Sequence, residues 1–162
     1  MKKNLRQIEV LLASLKEYSE IEKVIESLPR GYVSTKVISG HTYYYRQWRE
    51  GSRIISSYIP GPFVNGIRQK IIIRKENEQL LKITKKNLES AIKQVVKGKL
   101  LTIEQVDLLK EGANYDELPL SEREAFIVNK FSDASEELRK NIDAWCMGYI
   151  SYNELLLSSW GF

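Results

Sequence analysis

A chain of 162 residues is the size of one ordinary domain or two very small ones, which leaves no room for a large multidomain enzyme. With 43% hydrophobic, 28% charged and 10% aromatic residues it has enough apolar surface to bury a core, so a wholly disordered chain is excluded. The formal net charge of +4 conceals a split at Lys99: residues 1–99 carry 20 Lys and Arg against 9 Asp and Glu, and residues 100–162 carry 5 against 12, so the two halves are expected to meet different partners.

Residues 5–28 place Ile8, Leu11, Leu12, Leu15, Ile21, Val24, Ile25 and Leu28 at three- and four-residue steps, which predicts an amphipathic helix. It should end before Pro29, because the residue ahead of a proline is pushed out of the helical region, and Gly31 supports a turn there. The period then changes to two and the residues become β-branched and aromatic. This predicts antiparallel strands at 32–38, 42–49 and 53–59, with turn signals at Ser39-Gly40-His41 and Glu50-Gly51.

With two-residue loops at Gly40-His41 and Glu50-Gly51, alternation puts Val33, Val37, Tyr44, Trp48, Ile55 and Ile59 on one face, expected to be buried. The other face, expected to be exposed, carries Lys36, Tyr43, Tyr45, Gln47, Arg49, Ile54, Ser56 and Tyr58. Arg46 and Arg53 fall on the face to be buried, and a one-residue change of register would invert the whole assignment.

Pro60-Gly61-Pro62 breaks the last strand, and a long, partly exposed helix follows from Ile67 to about Val96, with Gly98 marking its end. The remaining chain predicts short helices announced by capping-box pairs at Thr102 and Gln105, Ser121 and Glu124, and Ser151 and Glu154. Gly112 and Gly148 are candidate stops, and Phe126, Ile127, Phe131, Leu138, Ile142, Trp145, Leu155, Leu156 and Trp160 are the expected helical core. The expected fold is α+β: an N-terminal helix, a three-stranded antiparallel sheet, a long helix and a C-terminal bundle of short helices. It divides into a basic module at 1–99 and an acidic helical interaction module at 100–162.

One cysteine, Cys146, and one histidine, His41, cannot form an intramolecular disulfide, a Cys/His zinc cluster or a haem attachment motif. No phosphate-cradling glycine loop, nucleophile elbow, zinc-protease helix or EF-hand loop occurs. His41 falls in a turn with no acid near it in sequence to orient it as a base, and Cys146, within Trp145-Cys146-Met147, reads as a buried structural thiol. Asp116, Glu117, Glu122 and Glu124 are close in sequence, but helix-start chemistry explains Glu122 and Glu124 more simply than a metal or an acid/base pair. A protein that is not an enzyme and uses no cofactor or metal is expected. The basic N-terminus leads into a charged amphipathic stretch, and no run approaches the ~20 apolar residues of a membrane span, so a soluble, cytoplasmic chain without a membrane partner is expected.

Residues 30–75 hold nine basic side chains against the single acid Glu50, a density that attracts polyanions through phosphate neutralisation. Along the exposed sheet face, aromatic platforms alternate with an amide and with cations, groups that stack on bases, read base edges and hold phosphates. The candidate nucleic-acid-binding residues are Lys36, Tyr43, Tyr45, Gln47, Arg49, Arg53, Tyr58, Arg68 and Lys70. The competing explanations are a basic face paired with the acidic half of the same chain, and tyrosines that serve only as cross-strand pairs. For a protein partner or self-association the candidates are Asp116, Glu117, Trp145, Tyr149 and Trp160.

The segments Leu28-Pro29-Arg30-Gly31-Tyr32-Val33-Ser34, Tyr43-Tyr44-Tyr45-Arg46-Gln47-Trp48-Arg49-Glu50-Gly51 and Ser57-Tyr58-Ile59 resemble a motif of small bacterial and mobile-element proteins. In pattern they also resemble the three-stranded arm-type DNA-binding domain of phage and transposon integrases, a likeness that implies insertion of the sheet into DNA. The run from Glu137 to Trp145 followed by Gly148-Tyr149-Ile150-Ser151-Tyr152-Asn153-Glu154-Leu155 is similar to the closing helices of VbhA-type antitoxins. Their inhibitory motif ends in Glu-Gly, a pair missing from Glu124-Ala125-Phe126-Ile127-Val128-Asn129-Lys130-Phe131-Ser132, so inhibition of Fic enzymes does not carry over. The expected function is a small regulator of phage or mobile-element type, antitoxin-like, that binds nucleic acid or a nucleoprotein complex through the sheet and a protein through the acidic helices. The alternative is an inhibitor of a host nucleic-acid enzyme, such as an anti-CRISPR or another anti-defence protein.

Overall fold

The computed structural model describes residues 2–131 and 133–162 and, from residue 4 onward, their side chains. Helix α1 (Lys2–Ser27) stops ahead of Pro29, as predicted. The chain turns at Gly31, whose φ of 102° favours glycine and where a Cβ would overlap the carbonyl oxygen of Gln47. Strands β1 (Tyr32–Ile38), β2 (His41–Glu50) and β3 (Arg53–Ile59) form an antiparallel sheet in the order β1-β2-β3. A 3₁₀ turn at Gly61–Phe63 leads into α2 (Val64–Lys97), which starts three residues earlier than the sequence pattern indicates. The short helices are α3 (Ile103–Gly112), α4 (Leu120–Ile127), α5 (Glu136–Cys146) and α6 (Tyr152–Ser159). The architecture is α+β, and none of the described helices is long and apolar enough to cross a membrane.

The hairpin loops are Ser39-Gly40 and Gly51-Ser52, because Ile38 pairs with His41 and Glu50 with Arg53. Each loop lies one residue from its expected place. Moving a two-residue loop by one residue shifts the strand partners by two, and since side chains alternate with period two, every residue keeps its expected face. Ser39 and Gly40 both have positive φ, the pattern of a type I′ turn, and Gly51 has positive φ at the first loop position, as a type II′ turn requires.

Two compact units divide the chain differently from the boundary at Lys99: Glu20–Lys85 form one, and Met1–Ser19 with Lys86–Phe162 form the other. The reason lies in the helical core. Ile8, Leu11 and Leu15 of α1 and Leu88, Ala91 and Val95 of α2 are buried in one cluster with Val106, Leu109, Ile127, Trp145 and Leu155. All nine expected core residues of the short helices belong to this cluster or pack against it.

Thr102 and Ser151 close the expected capping boxes with Gln105 and Glu154. Ser121 does not cap: α4 starts one residue before it, behind Pro119, a residue with the fixed φ that suits a helix entrance. Ser135, unforeseen, caps α5 by accepting the N–H of Leu138. The end of α2 is a Schellman motif in which Leu100 N–H donates to Val95 O and Lys99 N–H to Val96 O; Lys99, with φ 55°, holds the left-handed position in place of Gly98. Gly148 (φ 81°) ends α5 in the same way, with Tyr149 N–H on Ala144 O and its own N–H on Trp145 O. Gly112 closes α3 without positive φ; there a Cβ would press against Asn153 and Tyr152.

Candidate nucleic-acid interface

The register sorts the sheet into two faces. One holds Val33, Tyr44, Arg46, Trp48, Ile55 and Ile59, and the other Lys36, Tyr43, Tyr45, Gln47, Arg49 and Tyr58.

The first face was expected to be buried, but of its residues only Ile59 is buried, and Val37 is 71% exposed. Its middle is covered by its own polar network. The Arg46 guanidinium lies 3.8 Å from the centre of the Trp48 ring and donates to Arg30 O at 3.3 Å. Trp48 Nε1 donates to Glu50 Oε1 at 2.9 Å, and that oxygen lies 3.6 Å from Arg30 Nη2. These contacts let Arg46 occupy the face, its guanidinium set against the Trp48 ring and bonded to a carbonyl oxygen. Arg68 of α2 reaches over Tyr44 on the same side, at 5.6 Å.

On the second face three tyrosines meet: Tyr45 and Tyr58 are 5.8 Å apart between ring centres, Tyr43 and Tyr58 are 6.4 Å apart, and the Lys36 ammonium sits 4.8 Å from the centre of Tyr45. Among the described residues, these ring and cation contacts stay within the sheet. Tyr58 is 55% exposed, Lys36 and Arg49 are exposed, and Tyr43, Tyr45 and Gln47 are half-buried, shielding one another.

The nine candidate residues therefore do not share one surface. Lys36, Tyr43, Tyr45, Gln47, Arg49 and Tyr58 lie on the tyrosine face; Arg53 projects from the opposite face, Arg68 covers Tyr44 there, and Lys70 stands exposed on α2.

The basic run also divides by task. Arg74 is structural: its Nη1 donates to Ile25 O and Leu28 O, both at 2.6 Å, satisfying carbonyls at the end of α1, and its Nε donates to Glu78 at 2.9 Å. Arg30 pairs with Glu50. Among the described residues, no ion pair occupies Lys36, Arg49, Arg53, Arg68, Lys70 or Lys75. Two of these six, Lys36 and Arg68, instead sit over tyrosine rings. The unit Glu20–Lys85 carries 12 Lys and Arg against 6 Asp and Glu.

The protein-partner candidates separate as well. Trp145 is wholly buried and so is not an interface group, which corrects the expectation for it; its indole N–H donates to Oδ1 of Asp116, which is half-buried. The same tryptophan carbonyl receives Arg123 Nη1 at 2.8 Å, while Arg123 Nη2 and Nε bond to Asp116 O and Leu118 O. Arg123 is buried and was invisible as a hub in the sequence, where only its position amid glutamates marks it. Tyr149 is 79% exposed and Glu117 is exposed. Trp160 is half-buried and lines a cavity of about 730 Å³ together with Tyr115, Lys130, Phe131, Leu138 and Tyr152. Cys146 is half-buried, and burial followed by the charges of Asp143 and Glu124 pushes its thiol up, away from the reactive thiolate.

Compared with known protein families, residues 1–69 match one described as a domain of unknown function (DUF6788). The match takes in all three strands and ends in the first turns of α2, so the tyrosine face lies wholly inside it. No curated protein and no solved structure matches the chain.

Proposed function

We propose that this chain is a non-enzymatic regulatory protein of phage or mobile-element type that binds nucleic acid, or a complex containing it, through the tyrosine face of the sheet. The observation that carries this is the contact cluster of Tyr43, Tyr45 and Tyr58, with Tyr58 55% exposed, bordered by Lys36 and Arg49, which have no carboxylate partner among the described residues. Rings supply stacking area, the Gln47 amide both donates and accepts toward a base edge, and the cations neutralise phosphates. Tyr149, exposed beside the end of α5, is the best remaining anchor for a protein partner, since Tyr is enriched at energetic centres of interfaces.

The test is binding of the purified protein to labelled duplex DNA, single-stranded DNA and structured RNA at two salt concentrations. The proposal expects affinity that falls steeply with salt and is weakened by Arg49→Ala. Absence of binding to all three at low salt overturns it.

A further inference from the structure

Building on that reading, we infer that the nucleic acid taken by this face is single-stranded, with unpaired bases stacked on Tyr45 and Tyr58 and a base edge turned to Gln47. The cross-strand register lays the face out in rows. Lys36 stands opposite Tyr43; Ser34, Tyr45 and Tyr58 share the next row; Tyr32, Gln47 and Ser56 share the one after; and Arg49 stands opposite Ile54 beyond it. Successive rows on one face are about 7 Å apart. The aromatic contact area thus occupies the middle, the amide lies one row further along β2, and cations stand toward both ends, with the Lys36 ammonium drawn in over Tyr45 at 4.8 Å. Ser56, short and exposed, stands opposite Gln47 and leaves that amide open, whereas the Ser34 hydroxyl opposite Tyr45 is covered.

A duplex offers this face the wrong surface. Paired bases are stacked on one another, so only phosphates and groove edges are available, and these are read by arginine, asparagine, glutamine and short side chains that reach outward. Tyr43 and Tyr45, half-buried with their rings in contact with Tyr58, do not reach into a groove. An unpaired strand exposes the π-face of each base, which any aromatic platform can stack, while its backbone follows the flanking cations. One shared chemistry, an unpaired base joined to a phosphate, is supplied by both DNA and RNA.

The experiment measures fluorescence anisotropy of the full chain with one labelled oligonucleotide sequence presented as single-stranded DNA, as single-stranded RNA and as DNA duplex. At least one single strand should bind about tenfold or more tighter than the duplex, and the DNA and RNA arms report whether the 2′-hydroxyl contributes. Tyr58→Ala should weaken the single strand by about 5- to 150-fold without changing its salt slope, and Tyr58→Phe, which keeps the ring, should restore it. Because Tyr58 is more than half exposed, its variants are expected to fold, and equal melting temperatures verify this. Duplex binding as tight as that of either single strand overturns the inference, as does a Tyr58→Ala variant with unchanged single-strand affinity; in both cases nucleic-acid binding itself survives. Failure of all three oligonucleotides to bind at low salt overturns the underlying proposal as well.

Discussion

Trp145 donates its indole N–H to Oδ1 of Asp116 at 2.9 Å, and the backbone N–H of Tyr152 donates to the same oxygen at 2.8 Å. One carboxylate oxygen thus ties the end of α5 to the first residue of α6, 29 and 36 residues away in sequence. Asp116→Ala leaves both donors without a partner in a largely dry site and should cost about 2–4 kcal/mol in urea unfolding. Asp116→Asn keeps an acceptor oxygen at that position and should lose clearly less. Equal losses in the two variants would show that the charge, not the acceptor, matters.

Tyr115 donates its phenol to Glu111 Oε1 at 2.6 Å, and that hydrogen bond, followed by burial and the Glu111 charge, pushes the phenol up to about 12. A raised value favours the neutral form in the folded state. The resulting stabilisation is complete below the ordinary value near 10 and is lost as pH climbs from there toward 12. Tyrosinate absorbance, taken as the difference between wild type and Tyr115→Phe, should show this late ionisation, and Glu111→Gln should bring it back toward 10. Ionisation of Tyr115 near 10 in the wild type would contradict the geometry.

Two helix ends make opposite predictions. Lys99 pays for the left-handed φ of 55° with its Cβ, so Lys99→Gly should raise stability by about 0.5–1 kcal/mol. At Gly148 the left-handed conformation is already free of strain, and a Cβ there would lie 3.2 Å from Leu120 Cδ2. Gly148→Ala should therefore destabilise, by roughly 1–2 kcal/mol. Melting temperatures of both variants check the pair.

The contrast between helix ends and hubs shows what a sequence exposes. Strand limits at Tyr32, Ile38, Arg53 and Ile59 were legible because alternation and turn residues are local, and the faces survived misplaced loops because a two-residue shift preserves parity. The caps at Thr102 and Ser151 were legible for the same reason. Asp116, Arg123 and Arg74 were not: their partners are carbonyls and N–H groups that only the tertiary fold brings near, and no residue pattern advertises a backbone acceptor. The half-open first face of the sheet was misjudged because Arg46, which pattern alone marks as an intruder, is held there by Trp48 and Arg30 O.

Arg74 and Arg49 belong to one basic run but should behave differently. Arg74→Lys cannot serve Ile25 O and Leu28 O while keeping the planar fork toward Glu78, and should cost about 1–3 kcal/mol in stability with the salt slope of binding unchanged. Arg49→Ala should leave the melting temperature within about a degree or two of wild type, as an exposed substitution does. The reverse pattern would place Arg74 in the interface and remove Arg49 from it.

The most direct measurement is a salt series of nucleic-acid binding by wild type and Arg49→Ala, read by anisotropy on single-stranded and duplex oligonucleotides. Log affinity should fall linearly with log salt, and Arg49→Ala should weaken binding and reduce the slope by about one phosphate contact. Salt-independent binding, or a slope and affinity identical in the two proteins, would contradict the sheet as the nucleic-acid surface.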